Sequence, residues 1–105
     1  MIHIVNKYKH TPSSTDYYCG RGSLFGNPYT HIRDKQTLAQ FIVDTREEAI
    51  NKYAEYFNSV ILNNESARIK LNSMKEVAKH NDIYLLCFCV PKKCHCEVIK
   101  QYLEQ

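Results

Sequence analysis

The sequence predicts a small, single-domain α/β fold over residues 1–105, three-layer-like, with a short, mostly parallel sheet and flanking helices. Three observations carry this. Ile83-Tyr84-Leu85-Leu86-Cys87-Phe88-Cys89 is an almost continuous apolar run, the pattern of a central strand covered on both faces. Ala49, Ile50, Tyr53, Phe57, Val60 and Ile61 recur at helical spacing behind a helix-start signal. Ile2-His3-Ile4-Val5-Asn6 is a short β-type run far from the other strand, so strands and helices alternate along the chain. With 105 residues there is no room for a second core.

Each element follows from its local residues. After the first strand, Lys7 to Thr15 is polar, with Pro12 and Ser13-Ser14, and reads as a loop. Tyr17-Tyr18-Cys19 reads as a second short strand. Asp34 to Asp44 is ambiguous, since Leu38, Phe41 and Ile42 have helical spacing while Phe41-Ile42-Val43 suits extended chain. Thr45 followed by Glu48 makes a capping box, and the helix it opens runs to about Leu62. Asn63-Asn64 breaks it. Glu65 to Lys79 is a second helix, with Ala67, Leu71, Met74 and Ala78 on one stripe. Asn81-Asp82 is a turn into the buried strand, Val90-Pro91-Lys92-Lys93 ends that strand, and Cys94 to Leu103 reads as a terminal helix.

All three glycines fall within the run Cys19-Gly20-Arg21-Gly22-Ser23-Leu24-Phe25-Gly26-Asn27-Pro28. Glycine is required where the backbone takes positive φ or a ligand approaches closely. The donors of Arg21, Ser23 and Asn27 suit a polar anion, so the run reads as a loop for a phosphate-bearing molecule. The competing reading is a tight turn closed by Asn-Pro. In open α/β sheets, ligands bind beyond the carboxyl ends of the strands. The glycine loop has that address, and so does Val90-Pro91-Lys92-Lys93-Cys94-His95-Cys96, where a helix N-terminus offers unpaired N–H groups to an anion. The expected site is a cleft between these two loops, with Tyr17, Gly20, Arg21, Gly22, Ser23, Gly26, Asn27, Lys92, Cys94 and His95 as ligand-binding residues.

For catalysis the candidates are His95, Asp16 and Glu97. A histidine in a first helical turn is favoured in its neutral form, as proton acceptor or hydrogen-bond partner. Cys94 at a helix N-terminus would have a lowered pKa. Adjacent residues on a helix do not face each other, however, which sets up Cys94 and His95 poorly for direct proton transfer. The spacing Cys87-x-Cys89-x4-Cys94-His95-Cys96 invites zinc. Against it, Cys87 and Cys89 in a strand have Cα atoms ~6.6 Å apart, whereas structural sites favour C-x2–4-C knuckles. No metal or cofactor is assigned.

Composition narrows the partners. A net charge of +3 attracts anionic small molecules, but its fourteen Lys and Arg residues are scattered apart from Lys92-Lys93, which argues against duplex nucleic acid. No apolar stretch approaches membrane-spanning length and no signal peptide is apparent, so no membrane partner and a cytoplasmic location are expected. Five cysteines, an odd number, agree with a reducing compartment. Eight tyrosines with abundant Asn, Ile and Lys suggest an AT-rich coding genome such as many bacteriophages have.

Three blocks of residues resemble the small domain catalogued as domain of unknown function 4326. They are Tyr17-x-x-Gly20-Arg21-Gly22-Ser23-x-x-Gly26-Asn27-Pro28, Arg46-Glu47-Glu48-Ala49-Ile50-x-x-Tyr53, and Leu86-Cys87-x-Cys89-x-Pro91-Lys92-x-Cys94-His95. The resemblance implies a bacterial or phage distribution and supports the fold, with no assigned activity. It adds Pro91 to the site candidates. The strand-to-Cys-His-helix ending also resembles domain of unknown function 488, where arginine follows the Cys-His pair; here Cys96 and Glu97 follow.

The expected function is binding of a phosphate-bearing, nucleotide-type small molecule, with tyrosines such as Tyr17, Tyr18 or Tyr29 stacking on a base. A phage protein of this kind would sequester a nucleotide signal of host defence. One alternative is an enzyme cleaving a phosphodiester or N-glycosidic bond of a nucleotide. Another is a zinc-stapled protein-interaction module. A homo-oligomer is compatible with each.

Overall fold

The last long apolar run becomes the middle of the sheet, and everything else is arranged around it. The structure, a computed structural model, describes residues 1–20, 23–30, 41–88, 90 and 92–105. The strands are β1 (Ile2–Asn6), β2 (Asp16–Tyr18), β3 (Tyr29–Thr30), β4 (Phe41–Ile42) and β5 (Ile83–Cys87). The helices are α1 (Arg46–Ser59), α2 (Glu65–Ala78) and α3 (Cys96–Leu103). A parallel sheet has the order β1-β5-β2, and β3 pairs with β4 in a separate parallel ribbon. Phe41-Ile42 is therefore extended. The rest of the ambiguous segment, residues 34–40, lies outside the described residues.

Register fixes which residues share a face. Ile2 pairs with Ile83 and Ile4 with Leu85, while His3 and Asp16 both pair with Tyr84. Because side chains alternate along a strand, Ile83, Leu85 and Cys87 point one way and Tyr84 and Leu86 the other. The first set joins Tyr53, Phe57, Leu71, Met74 and Ile99 in the main core. On the other face the His3 and His10 rings both lie against Tyr84, with centroids 5.0 and 4.5 Å away.

The helix ends follow local chemistry. Thr45 accepts a hydrogen bond from the Glu48 N–H at 3.0 Å, as the capping box requires. The Glu48 carboxylate reaches back to Asp44 N–H. Asn64, expected only as a breaker, is also the cap of α2 through Ala67 N–H. Three boundaries are corrected. A 3-10 turn, Ile61–Asn63, follows the end of α1 at Ser59; β5 stops at Cys87, two residues early; and α3 starts at Cys96, two residues late. The last shift places Cys94 and His95 before the helix, with His95 as its cap. β2 begins one residue earlier than expected, and Cys19 N–H still bonds to Leu86 C=O, so the glycine loop departs directly from the ladder.

Candidate functional site

The glycine loop is built from two consecutive tight turns, Ser23 N–H to Gly20 C=O and Gly26 N–H to Ser23 C=O. Three buried side chains clamp it. The Tyr53 hydroxyl donates to Phe25 C=O at 2.7 Å, Asn27 Nδ2 donates to Ala49 C=O at 3.2 Å, and His95 Nε2 meets Cys19 C=O at 2.6 Å. A carbonyl only accepts, so His95 Nε2 carries the hydrogen. Burial pushes the Tyr53 hydroxyl pKa far up, which keeps it a donor. At Gly20 a side chain would meet the far end of the Tyr18 ring, so a larger residue fits only if that ring moves.

The loop and the start of α3 are therefore adjacent, joined by His95 itself. His95 Nδ1 lies 3.5 Å from the Cys94 sulfur, and the Tyr53 ring packs edge-on at 4.7 Å. This corrects the expectation that Cys94 and His95 are poorly paired: neither is inside the helix, so helical geometry does not separate them. With both nitrogens engaged and the ring buried, His95 braces one loop against the other.

The remaining site candidates divide. Arg21, Gly22 and Pro91 lie outside the described residues. The Ser23 hydroxyl donates to Gly20 C=O at 2.5 Å, which commits its hydrogen within the loop. Asn27 is buried as a clamp, and Gly26 closes the second turn. Tyr17 faces the helices, with Lys70 of α2 over its ring at 5.0 Å. Glu97 is exposed in the first turn of α3. Asp16 is on the opposite face of the sheet from His95, bonded to His10 Nε2 at 2.9 Å and to Ser13 N–H and Oγ. Desolvation alone would raise the Asp16 pKa, but the Ser13 bonds and His10 together hold the carboxyl below its ordinary value.

Two open cavities border these elements. A hollow of about 330 Å³ is lined by Arg46, Glu47, Ile50, Lys92 and Lys93, and Arg46 Nη1 donates to Lys93 C=O at 3.5 Å. It lies beside the first turn of α1, the helix to which Asn27 and Tyr53 fasten the glycine loop. A second cavity of about 410 Å³ lies beside β1, lined by Ile4, Val5, Asn6, Lys9, His10 and Val90. Arg46 and Tyr53 both belong to the sequence block that carries the family resemblance; Tyr53 reads there as one member of a core stripe, and Arg46 carried no signal beyond its place in that block. His10 carried no signal beyond a polar loop six residues from Asp16.

The cysteines gather differently from the sequence expectation. Cys87 clusters with Cys94 and Cys96, their sulfurs within 4.8 Å of one another, so convergence comes from a second element. Cys89, expected beside Cys87 in the strand, lies outside the described residues.

A family model described as Domain of unknown function (DUF4326) matches residues 2–105, and the chain belongs to that family. No curated protein and no solved structure matches the chain. Among the described residues, no helix is long and apolar enough to cross a membrane.

Proposed function

We propose that this member of the domain of unknown function 4326 family binds a phosphate-bearing, nucleotide-type ligand in the hollow between the first turn of α1 and the Lys92-Lys93 segment that leads towards α3. The observation that carries the reading is the convergence of Arg46, Lys92 and Lys93 on one hollow beside the first turn of α1. Three cations against the single carboxylate of Glu47 favour an anion. The Arg46–Lys93 bond holds a guanidinium at the rim, where it offers paired donors to phosphate oxygens. The volume lies at the small end of the ~300–1,000 Å³ usual for small-molecule sites. In a phage, such binding would withdraw a nucleotide signal of host defence.

Titration calorimetry against mononucleotides, dinucleotides and cyclic dinucleotides tests this. Saturable, salt-sensitive binding is expected, weakened roughly tenfold by Arg46→Ala, in line with the loss of one charge-assisted hydrogen bond. Absence of binding across the panel overturns it.

A hydrolytic reading has one observation behind it. His10, oriented by Asp16, lines the cavity beside β1, an arrangement suited to proton transfer during cleavage of a phosphodiester or N-glycosidic bond. Product analysis after incubation separates the two readings. Ligand recovered intact means binding alone, whereas turnover abolished by His10→Ala means catalysis.

A further inference from the structure

Three thiols meet in the core with a fourth beside them, and the proposed anion hollow uses none of them. Cys87 ends β5, and Cys94 and Cys96 flank His95 at the start of α3; their three sulfurs lie within 4.8 Å of one another. Cys19, where the chain leaves β2, is hydrogen-bonded through its side chain to Cys96. All four are at most 3% exposed, and none is in a disulfide.

We propose that Cys19, Cys87, Cys94 and Cys96 form a buried tetrathiolate site for one thiophilic divalent cation, with zinc as the best fit. Sulfurs on a tetrahedral zinc, each ~2.3 Å from the metal, sit ~3.8 Å apart. The Cys87, Cys94 and Cys96 sulfurs therefore need a contraction of about 1 Å at their widest, within reach of side-chain rotation, and Cys19 joins them by a rotation of its own thiol. Four soft donors with no carboxylate among them select zinc over magnesium or calcium. Four protein ligands leave no open position, so the role is structural: the ion fastens the glycine loop, the end of β5 and the start of α3 together.

The surroundings are arranged for it. Cys19 is fixed at both backbone ends, its N–H on Leu86 C=O and its C=O on His95 Nε2. Its thiol now points at Tyr17 C=O, 3.5 Å away, and turns inward to become the fourth ligand. On binding, four S–H bonds break, four S–Zn bonds form and four protons pass to solvent. The resulting net charge of minus two sits at the N-terminal end of α3, where unpaired N–H groups favour negative charge.

The test uses the whole chain without an affinity tag, grown with added zinc and purified without chelator. Elemental analysis should find one zinc per chain, released in step with thiol modification by a mercurial. Replacement by cobalt should give intense visible d–d bands and a sulfur-to-cobalt charge-transfer band. Cys87→Ser and Cys96→Ser should each lose the stoichiometric metal. Since either substitution can also unfold so small a core, the cobalt spectrum of the unmutated protein decides independently. Metal far below one per chain, zinc that a weak chelator strips without lowering the thermal midpoint, or cobalt binding without a charge-transfer band would each overturn the proposal.

Discussion

The loops that leave β1 and β2 are held by opposite means. Cys19, Phe25 and Asn27 of the glycine loop are fixed from the core side, through His95, Tyr53 and the Asn27 amide, by bonds that water does not reach. Residues 7–15 are fixed from the solvent side. Asn6 bridges Tyr8 N–H and Val90 C=O, Asp16 gathers His10 and Ser13, and Thr15 Oγ1 donates to Asp82 C=O. Buried bonds of the first kind are costly to break because the surviving partner is left dry. Bonds of the second kind are readily replaced by water and respond to pH. The first loop is thus a rigid wall, and the second is adjustable.

Breaking the core-side clamp should have the largest effect. His95→Ala removes a packed ring and orphans Cys19 C=O, so a loss of ~3 kcal/mol is expected in urea unfolding. Tyr53→Phe isolates only the Phe25 carbonyl, at ~2 kcal/mol. If both cost no more than surface substitutions, the loop is not held as described.

The solvent-side loop is better probed by acid. The folded pKa of Asp16 lies below its unfolded value, so its contribution is complete above about pH 4 and is lost as pH falls through the folded value. Wild-type stability should therefore fall more steeply below about pH 4 than that of Asp16→Asn. Parallel curves would remove Asp16 from the account. The smallest effect is expected at Gly20→Ala, about 1 kcal/mol, since the far end of the Tyr18 ring can swing aside. That cost should vanish in a Tyr18→Ala background.

The contrast also marks what the sequence makes legible. The buried strand, both amphipathic helices and the Thr45 cap could be read because periodicity and capping are local properties of the chain. So could the glycine loop and the segment before α3 as two loops, since glycine clustering and a strand-to-helix junction are visible in a string. The functions of individual residues within them were not. Asn27 and His95 looked like ligand contacts because exposed and buried polar residues are spelled alike, and only the fold supplies Ala49 C=O and Cys19 C=O as partners. Of the thiols, Cys87, Cys94 and Cys96 stood in the spacing that invited zinc, and only the approach of Cys19 was hidden. Strand order brings Cys19 beside the end of β5, which no spacing rule encodes.

That strand order also governs assembly in time. β5 lies between β1 and β2, and both flanking strands precede it by most of the chain. Neither has a neighbour in this sheet until residues 83–87 have left the ribosome, so the ladder closes as one late event. Pairings this distant in sequence slow folding, because the entropy of closing the intervening chain is lost before any contact compensates. Until then, Ile2-His3-Ile4-Val5 is an unpaired apolar edge, and shielding it would fall to chaperones or to rapid completion of the chain.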